Sequence, residues 1–175
     1  MLAGKDNEFS SHWEGATKAG LIRGGYHYAK PDASSGSSQA HYFVSNGGNW
    51  TNDGITLPGM LDMEPGTPEG SSTCYGLSTS AMVSWISDFV NTYHSLTSRY
   101  PVIYTGDWWE TCTGGSSAFA ENCPLMLASY GSSSVPTGWS TYTFWQYNDN
   151  YAHGGGDSEL FNGSEDRLKV LAKGS

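Results

Sequence analysis

The segment from Ile55 to Pro65 constrains the fold of this chain more than any other. A mostly apolar run, Ile55–Leu61, leads into two carboxylates, Asp62 and Glu64, and Pro65 then ends it. Because alternate residues of a strand point to the same face, the two acidic side chains are predicted to project together. A near-continuous apolar run indicates a strand buried on both faces, as in a parallel sheet or barrel. The acids would then lie at the carboxyl end of that strand, where such folds carry their chemistry.

Two carboxylates held close together in a partly dry cleft repel each other. One pKa therefore rises, leaving an acid, while the other group stays ionised. This is the arrangement with which many enzymes cut a glycosidic bond. The alternative is a strand end whose acids cap the next helix or face solvent, and for an isolated Asp-x-Glu pair that alternative is the more common one.

The order of predicted helices and strands indicates an α/β fold in one domain, residues 1–175, with a mostly parallel sheet. Helices are predicted over Glu8–Gly20, Ser38–Val44, Ser78–Ser98 and Ser164–Ala172, with a short helical piece over Ser116–Glu121. Further strands are predicted over Leu21–Ala29, Pro101–Thr105, Leu125–Tyr130 and Tyr142–Tyr147. A Gly-rich loop, His153–Gly156, precedes the last part of the chain. Strands and helices alternate early, whereas late strands follow one another through loops.

The charge of the chain excludes several classes of partner. With 8 Lys and Arg against 17 Asp and Glu, the net charge is −9. No basic run exists, so neither nucleic acid nor an anionic membrane surface is predicted as a partner. No stretch of apolar residues is long enough to span a membrane. No spacing of potential ligands indicates a metal or an organic cofactor.

The composition is rich in glycine, which indicates many loops, and in aromatic residues, and it is poor in Lys and Arg. Such a composition is typical of secreted proteins. The first residues, Met1–Asp6, nevertheless show no signal-peptide pattern. Two short motifs, Asn49-Trp50-Thr51 and Asn162-Gly163-Ser164, are N-glycosylation sequons. They have meaning only if the chain enters a secretory pathway.

Aromatic and polar residues follow several of the predicted strands, and in a barrel these strand ends converge on one rim. Sugar rings present apolar C–H faces that stack on aromatic side chains, while phenol hydroxyls form hydrogen bonds. The candidates for such contacts are Tyr28, Tyr104, Trp108, Tyr130 and Tyr147. Burial in the core is an equally common fate for each of them. Trp108 and Trp109 lie in a predicted polar loop, so at least one of the two is expected to be exposed.

Two further polar residues are candidates for the same rim. Gln146 could bind sugar hydroxyls or could satisfy backbone groups. His27 could lie near the acids, although a lone histidine more often has a structural hydrogen-bonding role.

Five strand motifs occur in the order and spacing of a known family. They are Gly25-Tyr26-His27-Tyr28, Leu61-Asp62-Met63-Glu64, Pro101-Val102-Ile103-Tyr104-Thr105, Leu125-Met126-Leu127-Ala128-Ser129-Tyr130 and Trp145-Gln146-Tyr147. From Phe9 to Leu171 the chain resembles the Chalaropsis-type lysozymes, the N-acetylmuramidases of glycoside hydrolase family 25. The resemblance implies hydrolysis, with retention, of the β-1,4 bond between N-acetylmuramic acid and N-acetylglucosamine in bacterial peptidoglycan. It also implies a modified TIM-like barrel of the (β/α)5(β)3 type.

The resemblance assigns roles to three acidic residues. Glu64 matches the general acid/base, and Asp62 matches a partner that either attacks C1 or steadies a reactive intermediate formed with the acetamido group of the substrate. Asp157 matches a further acid of the cleft on the last strand. Its alternative role is that of a helix N-cap for the final segment.

The resemblance also implies a disulfide between Cys74 and Cys112, which leaves Cys123 unpaired. Pairing of Cys112 with Cys123 remains an alternative.

The chain departs from the family pattern at its start. The family begins with two additional strands, the first of which carries an Asp, whereas this chain starts near the connection to the third strand, at Lys5–Phe9. We therefore expect an N-terminally incomplete barrel with about six of eight strands, derived from a secreted enzyme whose signal peptide is lost. A monomer is expected if the barrel is complete.

Two alternatives to an active enzyme follow from the incomplete pattern. The chain could be a catalytically impaired fragment or a non-catalytic module that binds peptidoglycan or other sugars. A different barrel glycosidase, such as a chitinase, is disfavoured because the residues before the pair, Thr56–Met60, lack the additional acids of that class.

Overall fold

Six strands form a single sheet in the order in which they occur along the chain. The computed structural model describes residues 4–66, 72–150 and 156–174. The strands are β1 (Tyr26–Tyr28), β2 (Met60–Asp62), β3 (Val102–Thr105), β4 (Leu125–Ala128), β5 (Phe144–Asn148) and β6 (Ser158–Phe161). The first five are parallel, and β6 pairs antiparallel with β5. The predicted α/β class with a mostly parallel, six-stranded sheet is confirmed, and the sheet stays open with β1 and β6 as its edges.

Five helices accompany the sheet in the described part of the chain. They are α1 (Phe9–Lys18), α2 (Gly36–Phe43), α3 (Thr79–Thr97), α4 (Trp108–Thr113) and α5 (Glu165–Lys173). The hydroxyls of Ser35, Ser78 and Ser164 cap α2, α3 and α5 by accepting hydrogen bonds from backbone N–H groups of the first turn. No helix among the described residues is long and apolar enough to cross a membrane.

The predicted elements differ from the observed ones mainly at their ends. The strand predicted over Leu21–Ala29 is reduced to Tyr26–Tyr28, with an isolated bridge at Arg23, because the two glycines between them interrupt the pairing. The segment Ser116–Glu121 forms turns and not a helix. Most of the predicted Gly-rich loop at His153–Gly156 lies outside the described residues.

The core lies between the sheet and helices α2 and α3. The apolar stripe of α3 is buried as predicted, through Met82, Trp85, Ile86, Phe89, Val90 and Tyr93. Leu61 of β2, Ile103 of β3 and Leu127 of β4 join the same cluster and are almost completely inaccessible. Since strand side chains alternate between faces, their neighbours Asp62 and Tyr104 point to the opposite side of the sheet. The helices therefore fix one face and leave the other for a cleft.

Tyr93 connects α3 to the beginning of the central strand. Its hydroxyl donates to the carbonyl of Gly48 (2.9 Å) and accepts from the N–H of Gly59 (2.7 Å), just before β2. A Cβ at position 59 would lie 2.5 Å from the ring of Phe43 and 2.7 Å from the Tyr93 oxygen, so the backbone can pass here only as glycine. These contacts hold the amino end of β2 and thereby the register of the acids at its other end.

The two tryptophans after β3 correct the sequence prediction. Trp108 and Trp109 do not lie in an exposed loop but form the first turn of α4, and both are buried. Their indole N–H groups donate to backbone carbonyls of Thr73 (2.8 Å) and Ser116 (3.0 Å). Their polar atoms are thus satisfied inside the protein, and Trp108 is not available as a stacking surface for sugar.

A disulfide joins Cys74, in the segment after β2, to Cys112 in α4, which is the pairing that the resemblance implies. Cys123 is free and buried, and burial raises the pKa of its thiol to about 12. The thiol is therefore protonated and unreactive at neutral pH. The bond fixes the segment that follows the paired acids to the helix that follows the neighbouring strand.

We expect the Cys74→Ala/Cys112→Ala double variant to lose about 4 kcal/mol of unfolding free energy, because the bond closes a loop across a sequence separation of 38 residues. Urea unfolding of both proteins measures the difference, with reduced wild-type protein as the matched control. If the oxidised wild type and the double variant unfolded with equal free energies, the disulfide would have no stabilising role.

Candidate active site

A cleft of about 660 Å³ opens at the carboxyl ends of the parallel strands, on the sheet face away from the helices. Its walls are formed by side chains of β1, β2, β3, β4, β5 and β6 and of the segments beside them. These residues are Tyr26, Tyr28, Met60, Asp62, Glu64, Tyr104, Met126, Tyr130, Gln146, Asp157 and Glu159. Four carboxyl groups and four tyrosines thus share one small, concave site.

The register of three neighbouring strands places Asp62 at the centre of the cleft. Asp62 is the last residue of β2 and pairs with Tyr28 on one side and Tyr104 on the other. Its side chain is only 8% exposed, and its Oδ1 has no hydrogen-bond partner among the described residues. Glu64 lies two residues further along the chain, also lines the cleft, and is half-buried. One carboxyl group is therefore deep and poorly solvated while the other faces the open space.

Burial and the charges of nearby carboxylates make both Asp62 and Glu64 weaker acids. Burial, with smaller contributions from the charges of Glu64 and Asp157, raises the pKa of Asp62 to about 8. Burial and the charge of Asp157 also raise the pKa of Glu64. The Asp62 carboxyl therefore keeps its proton through most of the neutral range. Acid-catalysed cleavage of a glycosidic bond requires a carboxyl group that is protonated at the working pH.

Gln146 organises the tyrosines of the cleft. Its side-chain oxygen accepts hydrogen bonds from the hydroxyls of Tyr104 (2.8 Å) and Tyr130 (3.0 Å), and its nitrogen donates to Glu159 (3.3 Å). Gln146 itself is only 4% exposed, so these contacts satisfy a buried amide. Burial first, then the charges of Asp62 and Glu64, raises the pKa of Tyr104, so that its hydroxyl stays protonated. The network fixes two phenol groups beside the acids.

Tyr75 contacts the backbone of Glu64, and no motif in the sequence predicted this role. Its hydroxyl lies 3.1 Å from the carbonyl of Glu64 and 3.3 Å from that of Ala29, and so donates to the backbone just after β2 and just after β1. Its backbone adopts a left-handed conformation, with φ at 57°, which is unusual for an aromatic residue. Tyr75 is buried in the core, and the neighbouring Cys74 is joined to α4 by the disulfide.

The structure brings most of the predicted site residues together. Those that line the cleft are Tyr28, Asp62, Glu64, Tyr104, Tyr130, Gln146 and Asp157. Asp157 immediately precedes β6, and the antiparallel direction of that strand brings its beginning to the same rim. The alternative role of Asp157 as a helix cap is wrong, because Ser164 caps the final helix.

Three predicted residues lie elsewhere. His27 occupies the helix-facing side of β1, where its Nε2 lies 2.8 Å from Oε1 of Gln39 and burial lowers its pKa. Trp108 is in the core, as described above. Tyr147 is exposed and packs against Trp145, outside the lining of the cleft. His27 and Tyr147 are each one residue from a cleft residue, and in a strand that single step changes the face.

Four lining residues were missed by the sequence reasoning: Tyr26, Met60, Met126 and Glu159. Three of them lie two positions from a predicted site residue, since Tyr26 precedes Tyr28, Met60 precedes Asp62 and Glu159 follows Asp157. The period of two along a strand was the signal that could have found them. Among the residues that the structure describes, no group of three His, Cys, Asp or Glu side chains is arranged to hold a metal ion.

A carboxyl pair at the carboxyl end of a parallel sheet, one deeply buried and one open to a tyrosine-lined cleft, is an arrangement that glycoside hydrolases use. Residues 3–156 match the family described as glycosyl hydrolases family 25. The chain belongs to this family, as the five strand motifs predicted.

Relatives with known names support the assignment. An N,O-diacetylmuramidase of Arthroderma benhamiae is 53% identical over 173 residues, which cover 97% of this chain and 72% of the relative. An N,O-diacetylmuramidase of Chalaropsis sp is 51% identical over 174 residues, covering 95% and 81%. A solved muramidase structure from Acremonium alcalophilum is 59% identical, with a TM-score of 0.95 over 100% of this chain and 84% of that protein.

Proposed function

We propose that this protein is a lysozyme-type muramidase that hydrolyses the β-1,4 bond between N-acetylmuramic acid and N-acetylglucosamine in bacterial peptidoglycan. The observation that carries the proposal is the pairing of buried Asp62 with half-buried Glu64 at the floor of the cleft. The names of the relatives, N,O-diacetylmuramidase and muramidase, favour this substrate over other glycans.

Glu64 is the general acid/base in this proposal. It faces the cleft, so it can reach the oxygen of a bound glycosidic bond, and its raised pKa allows it to hold the proton that the leaving sugar needs. After the first sugar leaves, the same carboxylate accepts a proton from water. The water then attacks the anomeric carbon, and two successive inversions give retention.

Asp62 is the partner carboxylate. A poorly solvated anion stabilises a nearby positive charge more strongly than an exposed one, because no water screens it. As positive charge develops at the anomeric carbon, Asp62 is therefore driven towards its ionised form while the shared proton is held by Glu64. From this position it either attacks C1 or steadies an intermediate formed by the acetamido group of the substrate.

The remaining cleft residues bind the glycan. Tyr28, Tyr104 and Tyr130 offer ring faces and hydroxyls to sugar, and Asp157 adds an acceptor for sugar hydroxyls. Gln146 holds Tyr104 and Tyr130 with their hydroxyl hydrogens turned towards its own oxygen. The oxygen lone pairs of these tyrosines are thereby left as acceptors for substrate N–H and O–H groups.

We expect Gln146→Leu to lower kcat/KM about tenfold, since it leaves the two tyrosine hydroxyls without their common acceptor. Tyr130→Phe removes one of the two donors and is the matched variant, with an expected loss of only a few fold. Kinetics on soluble glycan fragments would separate KM from kcat. Wild-type kinetics in Gln146→Leu would contradict the orienting role.

We infer that the protein acts outside the cell. Peptidoglycan is an extracellular polymer, and the Cys74–Cys112 disulfide is a bond that persists in oxidising compartments. The net charge of −9 gives no attraction to an anionic wall, so binding has to come from the cleft itself.

Turbidity loss and new reducing ends on purified peptidoglycan, measured together on monomeric protein, test the proposed function. Muramidase activity produces both signals, with N-acetylmuramic acid at the new reducing ends. The competing proposal, a non-catalytic sugar-binding module, rests on the tyrosine-rich cleft and predicts binding without new reducing ends.

A further inference from the structure

The two sequons lie at the end of the sheet opposite the cleft. Asn49 follows the irregular turn Val44–Gly48, and the carbonyl of Gly48 is bonded to Tyr93, which also holds Gly59 just before β2. Asn162 directly follows β6, and its backbone N–H donates to the carbonyl of Thr143 just before β5 (2.9 Å). Both asparagines are therefore at the amino ends of the parallel strands, whereas the acids are at the carboxyl ends.

Asn49 presents its amide to solvent from a well-anchored segment. Its side chain is exposed, makes no hydrogen bond to any other described residue, and extends from backbone at φ −69° and ψ 145°. The next residue, Trp50, donates from its indole to the carbonyl of Ala172 (3.0 Å) and carries the guanidinium of Arg99 over its ring. Thr51 donates from its hydroxyl to Asp53 (3.1 Å). The flanking side chains are fixed while the acceptor amide is free.

Asn162 has the same motif but a different environment. Its side-chain nitrogen donates to the carbonyl of Tyr142 (3.0 Å) and to the hydroxyl of Thr141 (3.3 Å). The hydroxyl of its sequon partner Ser164 accepts from the N–H of Arg167 and caps α5. A sugar on this nitrogen would replace one of its two N–H groups and so break one of the two bonds. The side chains of the sequon at Asn162 therefore form hydrogen bonds that connect the ends of β5, β6 and α5.

We propose that Asn49 is the acceptor of an N-linked glycan in a eukaryotic secretory pathway and that Asn162 stays unmodified. The donor is an oligosaccharide linked through pyrophosphate to a lipid. A bond forms between the Asn49 side-chain nitrogen and C1 of the first sugar, the C1–O bond to the pyrophosphate breaks, and the amide proton leaves with the phosphate. The proposal depends on export and not on the catalytic roles of the cleft residues.

A glycan at Asn49 is compatible with activity on a polymer. It would extend from the amino-end face, so a peptidoglycan strand in the cleft would not meet it. We therefore expect glycosylated and deglycosylated protein to hydrolyse peptidoglycan at the same rate.

The sequence makes the assignment directly measurable. Trypsin does not cleave the Lys30–Pro31 bond, and no other Lys or Arg lies between Arg23 and Arg99 or between Arg99 and Arg167, so Asn49 falls in the peptide 24–99 and Asn162 in the peptide 100–167. Protein secreted from yeast would be reduced, digested and treated with peptide N-glycanase in ¹⁸O water, which marks each formerly glycosylated asparagine as a labelled aspartate. We expect label that depends on the glycanase in peptide 24–99 alone.

Two variants complete the test. Asn49→Gln should abolish the mass shift that deglycosylation causes in the intact protein, whereas Asn162→Gln should retain it. An unshifted wild-type protein, or label in peptide 100–167, overturns the assignment. Because the peptide map is made on wild-type protein, it decides the question even if a variant is poorly secreted, and its outcome is independent of whether the protein cleaves peptidoglycan.

Discussion

Glu64→Gln is expected to lower peptidoglycan hydrolysis by about 10³-fold, the contribution typical of a general acid/base. The amide has the shape of the carboxyl group but cannot transfer a proton to the leaving oxygen or accept one from water. Because burial and the charge of Asp157 raise the pKa of Glu64 in the folded protein, the neutral amide should not lower the unfolding free energy at neutral pH. Reducing-end release and urea unfolding, measured on the same preparation, test both statements.

Glu159→Gln is the matched control for this variant. Glu159 lines the same cleft and its removal lowers the negative charge of the site by the same amount, but it is exposed and its hydrogen-bond partner is Gln146. We expect a change of only a few fold. Equal losses in the two variants would mean that the charge of the cleft matters and that Glu64 has no specific role.

Asp62→Asn is expected to inactivate the enzyme by at least about 10²-fold and at the same time to stabilise it. Burial raises the pKa of Asp62 to about 8 in the folded protein, far above the ordinary value of 3.8 in the unfolded chain. Between pH 4 and 8 the folded state therefore holds a proton that the unfolded state has released. Stability conferred on the protonated form is thus lost as the pH rises through this window. Asparagine does not titrate and escapes this loss.

The stabilisation of Asp62→Asn relative to wild type should reach about 3 kcal/mol at pH 7.5. This is less than the free energy that corresponds to the whole pKa difference, because water and neighbouring groups rearrange around the charge. The stabilisation should nearly vanish at pH 2.5, where the aspartate is protonated in both states. Denaturant unfolding at the two pH values measures the difference. Asp166→Asn, which removes an exposed carboxylate of α5, controls for the change in net charge. An Asp62→Asn protein that was less stable than wild type at pH 7.5 would contradict the burial argument.

The centre of the site could be predicted from the sequence because it depends on local rules. An apolar run followed by Asp62 and Glu64 fixes a buried strand, its end and the common face of the two acids. The same rule predicts Tyr28 and Tyr104, which are the register partners of Asp62. The buried stripe of α3 could also be predicted, because six large apolar residues at helical spacing indicate a helix with one face in the core.

The parts that failed depend on distant contacts. Trp108 was placed in a loop because polar residues surround it, but the core beneath α4 offered its indole a carbonyl acceptor in a segment 35 residues away. His27 was placed at the rim although its neighbours in the strand, Tyr26 and Tyr28, take the cleft side. The hydrogen bonds that Gln146 makes to Tyr104 and Tyr130 join three strands or their ends, and no spacing along the chain encodes them.

The position of the disulfide means that reduction should abolish activity and unfold the core at different rates. The disulfide joins Cys74, in the segment after β2, to Cys112 in α4. The adjacent Tyr75 donates a hydrogen bond to the carbonyl of Glu64. Reduction of the bond would release the segment next to Tyr75 and leave the contacts between α3 and the sheet in place. After a thiol reductant is added, peptidoglycan hydrolysis should therefore stop at the rate at which the disulfide is reduced. The fluorescence of the buried tryptophans should stay unchanged over that time. In a reducing environment the enzyme would then be folded but inactive.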